Sequence, residues 1–340
     1  MRKACISAVC VCLLLAGCLA PCCASAYLIR DLGSCDIVAI NDSNQVLLNS
    51  GGQAFLWQDG SARFLFDGYA VDVNNSGQVL VGGPVPAIWQ DGVMTPLPLP
   101  THPYIPSISV HVYAINDAGQ VVGAAWGASM PPQFKMNSAM IWENGGFRPL
   151  WSSPYETAAE AYDISDNGFA VGCDGRGHVG GLYDYLMYVL SCAYAVNDQG
   201  RVVGSYGYGC PPSDLPVYGA YPDHAFVAQG SEWWDLGTLG GETSCALDIN
   251  ELGQIVGYSA LYSGVVHACA WQGIDSLCDL GTLGGTGESR ACGINENGWI
   301  IGTSNGHAVV WQPIVPEPSA LVVLLCAVGG LTFRRRLLRK

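Results

Sequence analysis

The sequence predicts an all-β protein, a seven-bladed β-propeller, from three observations. A polar turn between two short apolar strands recurs seven times. Residues 27–312 are rich in Gly, Pro, Trp and Tyr and show no long helical periodicity. Seven turns over that span give about 41 residues per unit, the size of a four-stranded blade. A lone sheet of that kind cannot cover its apolar faces, whereas a ring of them covers every face and leaves short edges.

The clearest turn is at residues 246–257, A-L-D-I-N-E-L-G-Q-I-V-G. Asn250 begins it, because Asn and Asp side chains bond the nearby backbone. Gly253 ends it in a left-handed conformation that only Gly adopts without penalty. Relatives are Ala39-Ile40-Asn41-Asp42, Val71-Asp72-Val73-Asn74, Ala114-Ile115-Asn116-Asp117, Tyr162-Asp163-Ile164-Ser165, Ala195-Val196-Asn197-Asp198 and Cys292-Gly293-Ile294-Asn295. A second element follows each turn. It reads His267-Ala268-Cys269-Ala270-Trp271, then Asp279-Leu280-Gly281-Thr282-Leu283-Gly284-Gly285. Other copies carry Trp57, Trp89, Trp142 and Trp311; the copy at His224 lacks the Trp, and the one near Gly181-Leu182-Tyr183 is badly degraded.

One unit therefore has four strands: D-L-G, A-x-D-I-N, Q-I-V-G and H-A-x-x-W. The chain begins its repeats with Asp31-Leu32-Gly33 and ends them with Trp311-Gln312, with no D-L-G after it. The N-terminal strand is thus expected to pair with the last one and complete the seventh blade. An open β-solenoid is the structural alternative.

Both ends read as processing segments. Residues 1–26 have Arg2 and Lys3, an apolar run and Ala24-Ser25-Ala26, a secretory signal with cleavage before Tyr27. Leu15-Ala16-Gly17-Cys18 is a competing lipoprotein-like site. At the other end, Pro316-Glu317-Pro318 precedes a short apolar run and Arg334-Arg335-Arg336. That run is short for a stable span, which needs about 20 residues. The basic end is expected to stay in the cytoplasm.

Without these ends, seven basic residues face 28 acids, so residues 27–333 carry about −21. Such a body repels nucleic acid and anionic lipid. It retains eight cysteines: Cys35, Cys173, Cys192, Cys210, Cys245, Cys269, Cys278 and Cys292. An exported domain allows disulfides, with Cys269 and Cys278 placed to pair across a hairpin; small buried apolar residues are the equal alternative. No C-x-x-C pair suggests zinc.

The H-A-F-x-W, D-L-G-T-L-G-G and A-x-D-I-N-x-x-G-Q-I-V-G elements resemble HAF repeats, over roughly residues 27–312. The resemblance implies an extracellular location and no established chemistry. The C-terminal segment, residues 313–340, resembles the PEP-CTERM sorting signal at Pro316, Glu317, Pro318, Arg334, Arg335 and Arg336. That likeness implies a transient inner-membrane anchor, cutting by an exosortase-type enzyme, and delivery to the surface or extracellular polymer.

The repeated groups read as structure. The turn acids fit calcium by chemistry, yet no D-x-D-x-D-G loop is present and the turns account for them. His224, His267 and His307 occupy one repeat position, which a ring holds apart, so no metal or cofactor is expected. The repeated Trp residues suit blade-to-blade packing. Function is expected in the insertions at residues 124–137, 173–180 and 205–223. Trp126, Tyr206, Tyr208, Tyr218 and Tyr221 are the candidate ligand platforms, since exposed aromatics in Pro-stiffened loops stack on sugars or anchor partners. No G-x-S-x-G, H-E-x-x-H or phosphate loop appears. The expectation is a non-catalytic surface or matrix protein that binds polysaccharide or another envelope component. The alternative is a propeller glycan hydrolase or lyase using carboxylates such as Glu156, Glu160, Asp184 and Asp214.

Overall fold

The structure, a computed structural model, describes residues 27–100, 108–127, 137–152, 159–173, 191–207, 223–274 and 276–314. These residues form 26 strands and a single 3-10 turn, and no helix among them is long and apolar enough to cross a membrane. After β1 (Tyr27–Gly33), the first sheet is β2 (Asp36–Ile40), β3 (Val46–Ser50), β4 (Gln53–Gln58) and β5 (Ser61–Asp67). The second is β6 (Ala70–Val73), β7 (Val79–Val81), β8 (Ala87–Gln90) and β9 (Val93–Pro96). The third is β10 (Ile108–Ile115), β11 (Val121–Gly127), β12 (Asn137–Glu143) and β13 (Gly146–Ser152). The fourth has only β14 (Glu160–Ile164) and β15 (Ala170–Cys173) among the described residues. The fifth is β16 (Ser191–Val196), β17 (Arg201–Tyr206), β18 (His224–Gln229) and β19 (Glu232–Asp235). The sixth is β20 (Gly240–Ile249), β21 (Gln254–Leu261), β22 (Val266–Gln272) and β23 (Leu277–Asp279). The last joins β24 (Ser289–Ile294), β25 (Ile300–Ser304) and β26 (His307–Pro313) to β1.

The arrangement is a propeller of small antiparallel sheets. The expectation of seven complete blades is met in six: among the described residues six sheets have four strands, and unit four has two. Its H-A-x-x-W segment is the one that degenerated in sequence, and residues 174–190 lie outside the described residues. The expected N-terminal strand pairing is present, with Tyr27 opposite Pro313 and Ile29 opposite Trp311.

Seven apolar clusters fill the seams between neighbouring sheets, and the last joins Val46, Leu48 and Trp57 of the first sheet to Ile301 and Val310 of the last. The repeated Trp residues are buried in these seams. Trp271 donates its indole N–H to Leu236 O at 2.8 Å, and Trp311 to Leu280 O at 3.0 Å. The Leu of one unit's D-L-G therefore accepts from the Trp of the next unit. His224, His267 and His307 hold the neighbouring strand, with Nδ1 at 3.0, 2.9 and 3.0 Å from Asp235, Asp279 and Asp31. Those aspartates also accept the N–H two residues on, at Gly237, Gly281 and Gly33.

Of the two alternatives for Cys269 and Cys278, the buried one holds: neither is disulfide-bonded, and both are buried. Cys269 stands opposite Asp279, whereas Cys278 stands opposite Ala270. Neighbouring positions of a strand point to opposite faces, so the two sulfurs lie on opposite sides of the sheet. Cys192 is disulfide-bonded, and the six other described cysteines are not.

Candidate functional site

The inner strands surround a central channel, and its two ends differ in chemistry. At one end sit the seven turns. Each turn Asn accepts backbone N–H groups of its own turn, as Asn250 Oδ1 does from Gln254 at 2.9 Å. Its amide then reaches the next unit. Asn41 donates to Asn74 O, Asn74 to Asn116 O, and Asn116 to Ser165 O. Asn197 donates to Asn250 O, Asn250 to Asn295 O, and Asn295 to Asn41 O. Ser165 is too short to continue the series, and there Asn167 bridges to Asp198 instead.

A second circle lies just outside. The N–H of Asp42 meets Asn75, that of Asn75 meets Asp117, and that of Asp117 meets Asp166. The N–H of Asp198 meets Glu251, that of Glu251 meets Glu296, and that of Glu296 meets Asp42. The turn acids are therefore hydrogen-bond acceptors that lock neighbours together, each with one oxygen on a backbone N–H. Gly253 has φ +74°, as the turn requires, and Asn44 takes that place in the first unit at φ +57°.

Below the turns, the channel wall carries Asp72, Asp163 and Asp248, from alternate units. Ala39, Ala114, Ala195 and Gly293 hold the same position in the others. Each Asp accepts the following residue's N–H with one oxygen and the next unit's with the other, at 2.7–2.8 Å. Burial raises Asp72 and Asp248 to about 7 and Asp163 to about 6, partly opposed by the backbone N–H groups. Repulsion from Asp163 raises Asp248 further. The cleft at this end holds about 230 Å³. Ligand pockets are usually about 300–1,000 Å³. Among the described residues no three His, Cys, Asp or Glu groups are arranged to hold a metal ion.

The other end does not repeat. Every inner strand bulges three residues before the turn residue, as the register shifts record. A bulge turns two successive residues toward one side. In units three, four and five the bulged residues are Tyr113, Tyr162 and Tyr194. Tyr113 and Tyr162 meet edge to face at 5.4 Å, and Tyr162 stacks on Tyr194 at 5.9 Å. Tyr113 donates to Glu160 at 3.1 Å, and Tyr162 also bonds that carboxylate. The belt continues through Ser205 to Cys245, Tyr258 and Arg290, whose guanidinium lies 4.4 Å above the Tyr258 ring. Burial pushes Tyr258 up to about 12 and Cys245 up to about 11, so both are protonated at neutral pH.

The three long insertions open at this same end, since they follow β11, β15 and β17 after those strands leave the turns. Trp126 lies on β11, half-buried, with its ring 4.5 Å from that of His111 and tilted by 35°. Tyr206 lies on β17, but its hydroxyl is held by Asp235 at 3.0 Å and its ring packs on Trp233, so it braces its own blade. These two sit two units apart, and no contact joins them among the described residues. Tyr208, Tyr218 and Tyr221 lie outside the described residues, as do Glu156, Asp184, Asp214 and the C-terminal residues Pro316, Glu317, Pro318, Arg334, Arg335 and Arg336. Glu160 is described, and it is buried beneath the tyrosine belt.

Sequence reasoning missed Tyr113, Tyr162, Tyr194, Tyr258 and Arg290. The available signal was a repeat column: the third residue before the turn residue is Tyr in three successive units and Val, Leu or Cys elsewhere.

Neither protein-family profiles nor curated protein sequences give a match to this chain. Among solved structures it resembles a streptogramin B lyase at 12% identity, covering 85% of this chain and 98% of that one, with a TM-score of 0.37. An overlap that low carries no functional argument.

Proposed function

We propose that this chain is an exported, non-catalytic, seven-bladed propeller of the HAF-repeat kind that binds polysaccharide or another envelope component. The observation that carries it is the convergence of the long insertions and the tyrosine belt on one end of the channel. Aromatic faces and hydroxyls suit sugar rings, which present C–H faces and polar edges.

The position of the two ends supports surface display. Tyr27 pairs with Pro313, and Pro313 lies beside the turn at Gly298. A tail leaving from there holds the turn end toward a membrane and the insertion end away from it. The proposed route is a PEP-CTERM tail that is held in the inner membrane and then cut by an exosortase-type enzyme. Glu317→Ala with Pro318→Ala should then retain the protein in the inner membrane; unchanged release into the medium rules this route out.

One observation favours the second reading, a glycan hydrolase or lyase: Glu160 is a buried carboxylate holding two phenols at the channel mouth. Binding of the full chain to a glycan array, with an assay for new sugar ends, separates the two. Binding without turnover is the expected result. Turnover that Glu160→Gln abolishes overturns the non-catalytic reading.

A further inference from the structure

We propose that the insertion end of the channel carries a carboxylate-binding site centred on Arg290, which takes the uronate groups of an acidic polysaccharide. This rests on the reading that the insertion end binds polysaccharide, and it specifies the class of sugar.

Arg290 lies on β24 with its side chain exposed, and its guanidinium is stacked on Tyr258. Stacking on a ring face fixes the guanidinium plane and leaves its edge N–H groups free. Among the described residues Arg290 forms no ion pair. Three of the four other described arginines are engaged: Arg148 pairs with Glu143, Arg30 donates to Gln312 and Arg201 to Gln229, while Arg63 on β5 forms no ion pair and has no aromatic ring beneath it. An unpaired planar fork matches a carboxylate in a two-point hydrogen bond, and Arg is chosen wherever that geometry matters.

A cavity of about 400 Å³ adjoins it, lined by Glu288, Thr303 and Asn305 as well as Arg290. That volume is within the range of ligand sites. Its wall is preformed. Asn305 donates to Leu283 O and Thr286 O and accepts from Glu288 N–H, so the loop needs no ordering when a ligand enters. Arg290 supplies the cationic end, and Thr303 and Glu288 supply groups for sugar hydroxyls. Glu288 also repels a second carboxylate, which orients the sugar with its acid toward Arg290.

The acidity of the body does not prevent this. The Debye length is about 8 Å at physiological ionic strength, so distant acids are screened while a hydrogen-bonded contact is not.

The test uses the full chain with polygalacturonate, its methyl ester and polyglutamate. Wild type should bind polygalacturonate and lose about tenfold on the methyl ester, the worth of one charge-assisted hydrogen-bonded pair. Arg290→Gln should bind the acid and the ester equally weakly, and Arg290→Lys should recover part of the difference. Equal binding of polygalacturonate by wild type and Arg290→Gln overturns the site while leaving polysaccharide binding standing. Arg290-dependent binding of polyglutamate alone overturns the sugar assignment. Binding to none of the three overturns the site together with the reading beneath it.

Discussion

Replacing Gly257 by Ala should cost roughly 3 kcal/mol or more, the range expected where an added atom meets backbone that cannot move. A β-carbon at Gly257 would overlap the carbonyl oxygen of Cys245 and stand 3.0 Å from its carbon. The same obstruction exists at Gly123, Gly172, Gly204 and Gly302, against the carbonyls of His111, Glu160, Cys192 and Arg290. The contact lies beside the inner-strand bulge, at the residue paired just before the register shift. The first two units carry Leu48 and Val81 at this place, so the tight approach belongs to units three to seven. Gly146→Ala is the control. Its β-carbon would meet only Glu143 O at 3.8 Å, so stability should change by no more than about 0.5 kcal/mol. Denaturant unfolding of both variants measures the difference, and similar losses would show that the bulges do not matter.

Thermal stability should fall as pH rises from about 4 to about 8. Asp72, Asp163 and Asp248 have folded pKa values near 7, 6 and 7, above those of an unfolded Asp near 3.9. The folded chain therefore holds more protons than the unfolded chain across that interval. Stability declines wherever the native state binds the excess protons, and the loss is complete once pH passes the folded values. Groups shifted the other way act below this window. Asp31, lowered by the Gly33 N–H and His307, and Glu143, lowered by Gln120 and Arg148, lose their contribution only in more acidic solution. The melting temperature should peak near pH 4–5 and fall by roughly 5 °C or more by pH 8. In Asp163→Asn the decline should be shallower by more than one group's share, because its charge also raises Asp248. A wild-type melting temperature that rises steadily from pH 4 to 8 contradicts the buried-carboxylate account.

Repetition made the fold legible. Seven turns, the H-A-x-x-W strand and the unmatched D-L-G at the start led to a closed ring of sheets with the N-terminal strand in the last one. Unit four stood apart in the sequence because it loses the Trp strand, and among the described residues its sheet has two strands. The reason for the turn Asn was only half legible. Its local bonds follow from the chemistry of Asn, but its amide bond to the next unit spans 33 to 53 residues, or 254 from Asn295 back to Asn41, and needs the ring to exist. The choice between pairing and simple burial at Cys269 and Cys278 needed strand register, which sequence proximity along the hairpin does not give.

The site was less legible because it is made of exceptions. Tyr113, Tyr162 and Tyr194 belong to three units, and only closure of the ring stacks them. Tyr206 looked like a free platform in a loop, but it lies on a strand bonded to Asp235. The turn that dominates the sequence is the fastening of the ring. The chemistry that differs from unit to unit is gathered at the opposite end of the channel.

Hydrogen exchange of the full chain, with and without a polysaccharide it binds, tests that division most directly. Protection should appear at amides near His111, Glu160, Tyr258 and Arg290, and those of the turns at Asn41, Asn116 and Asn250 should stay unchanged. Protection confined to the turns would contradict it and return the site to the repeated motif.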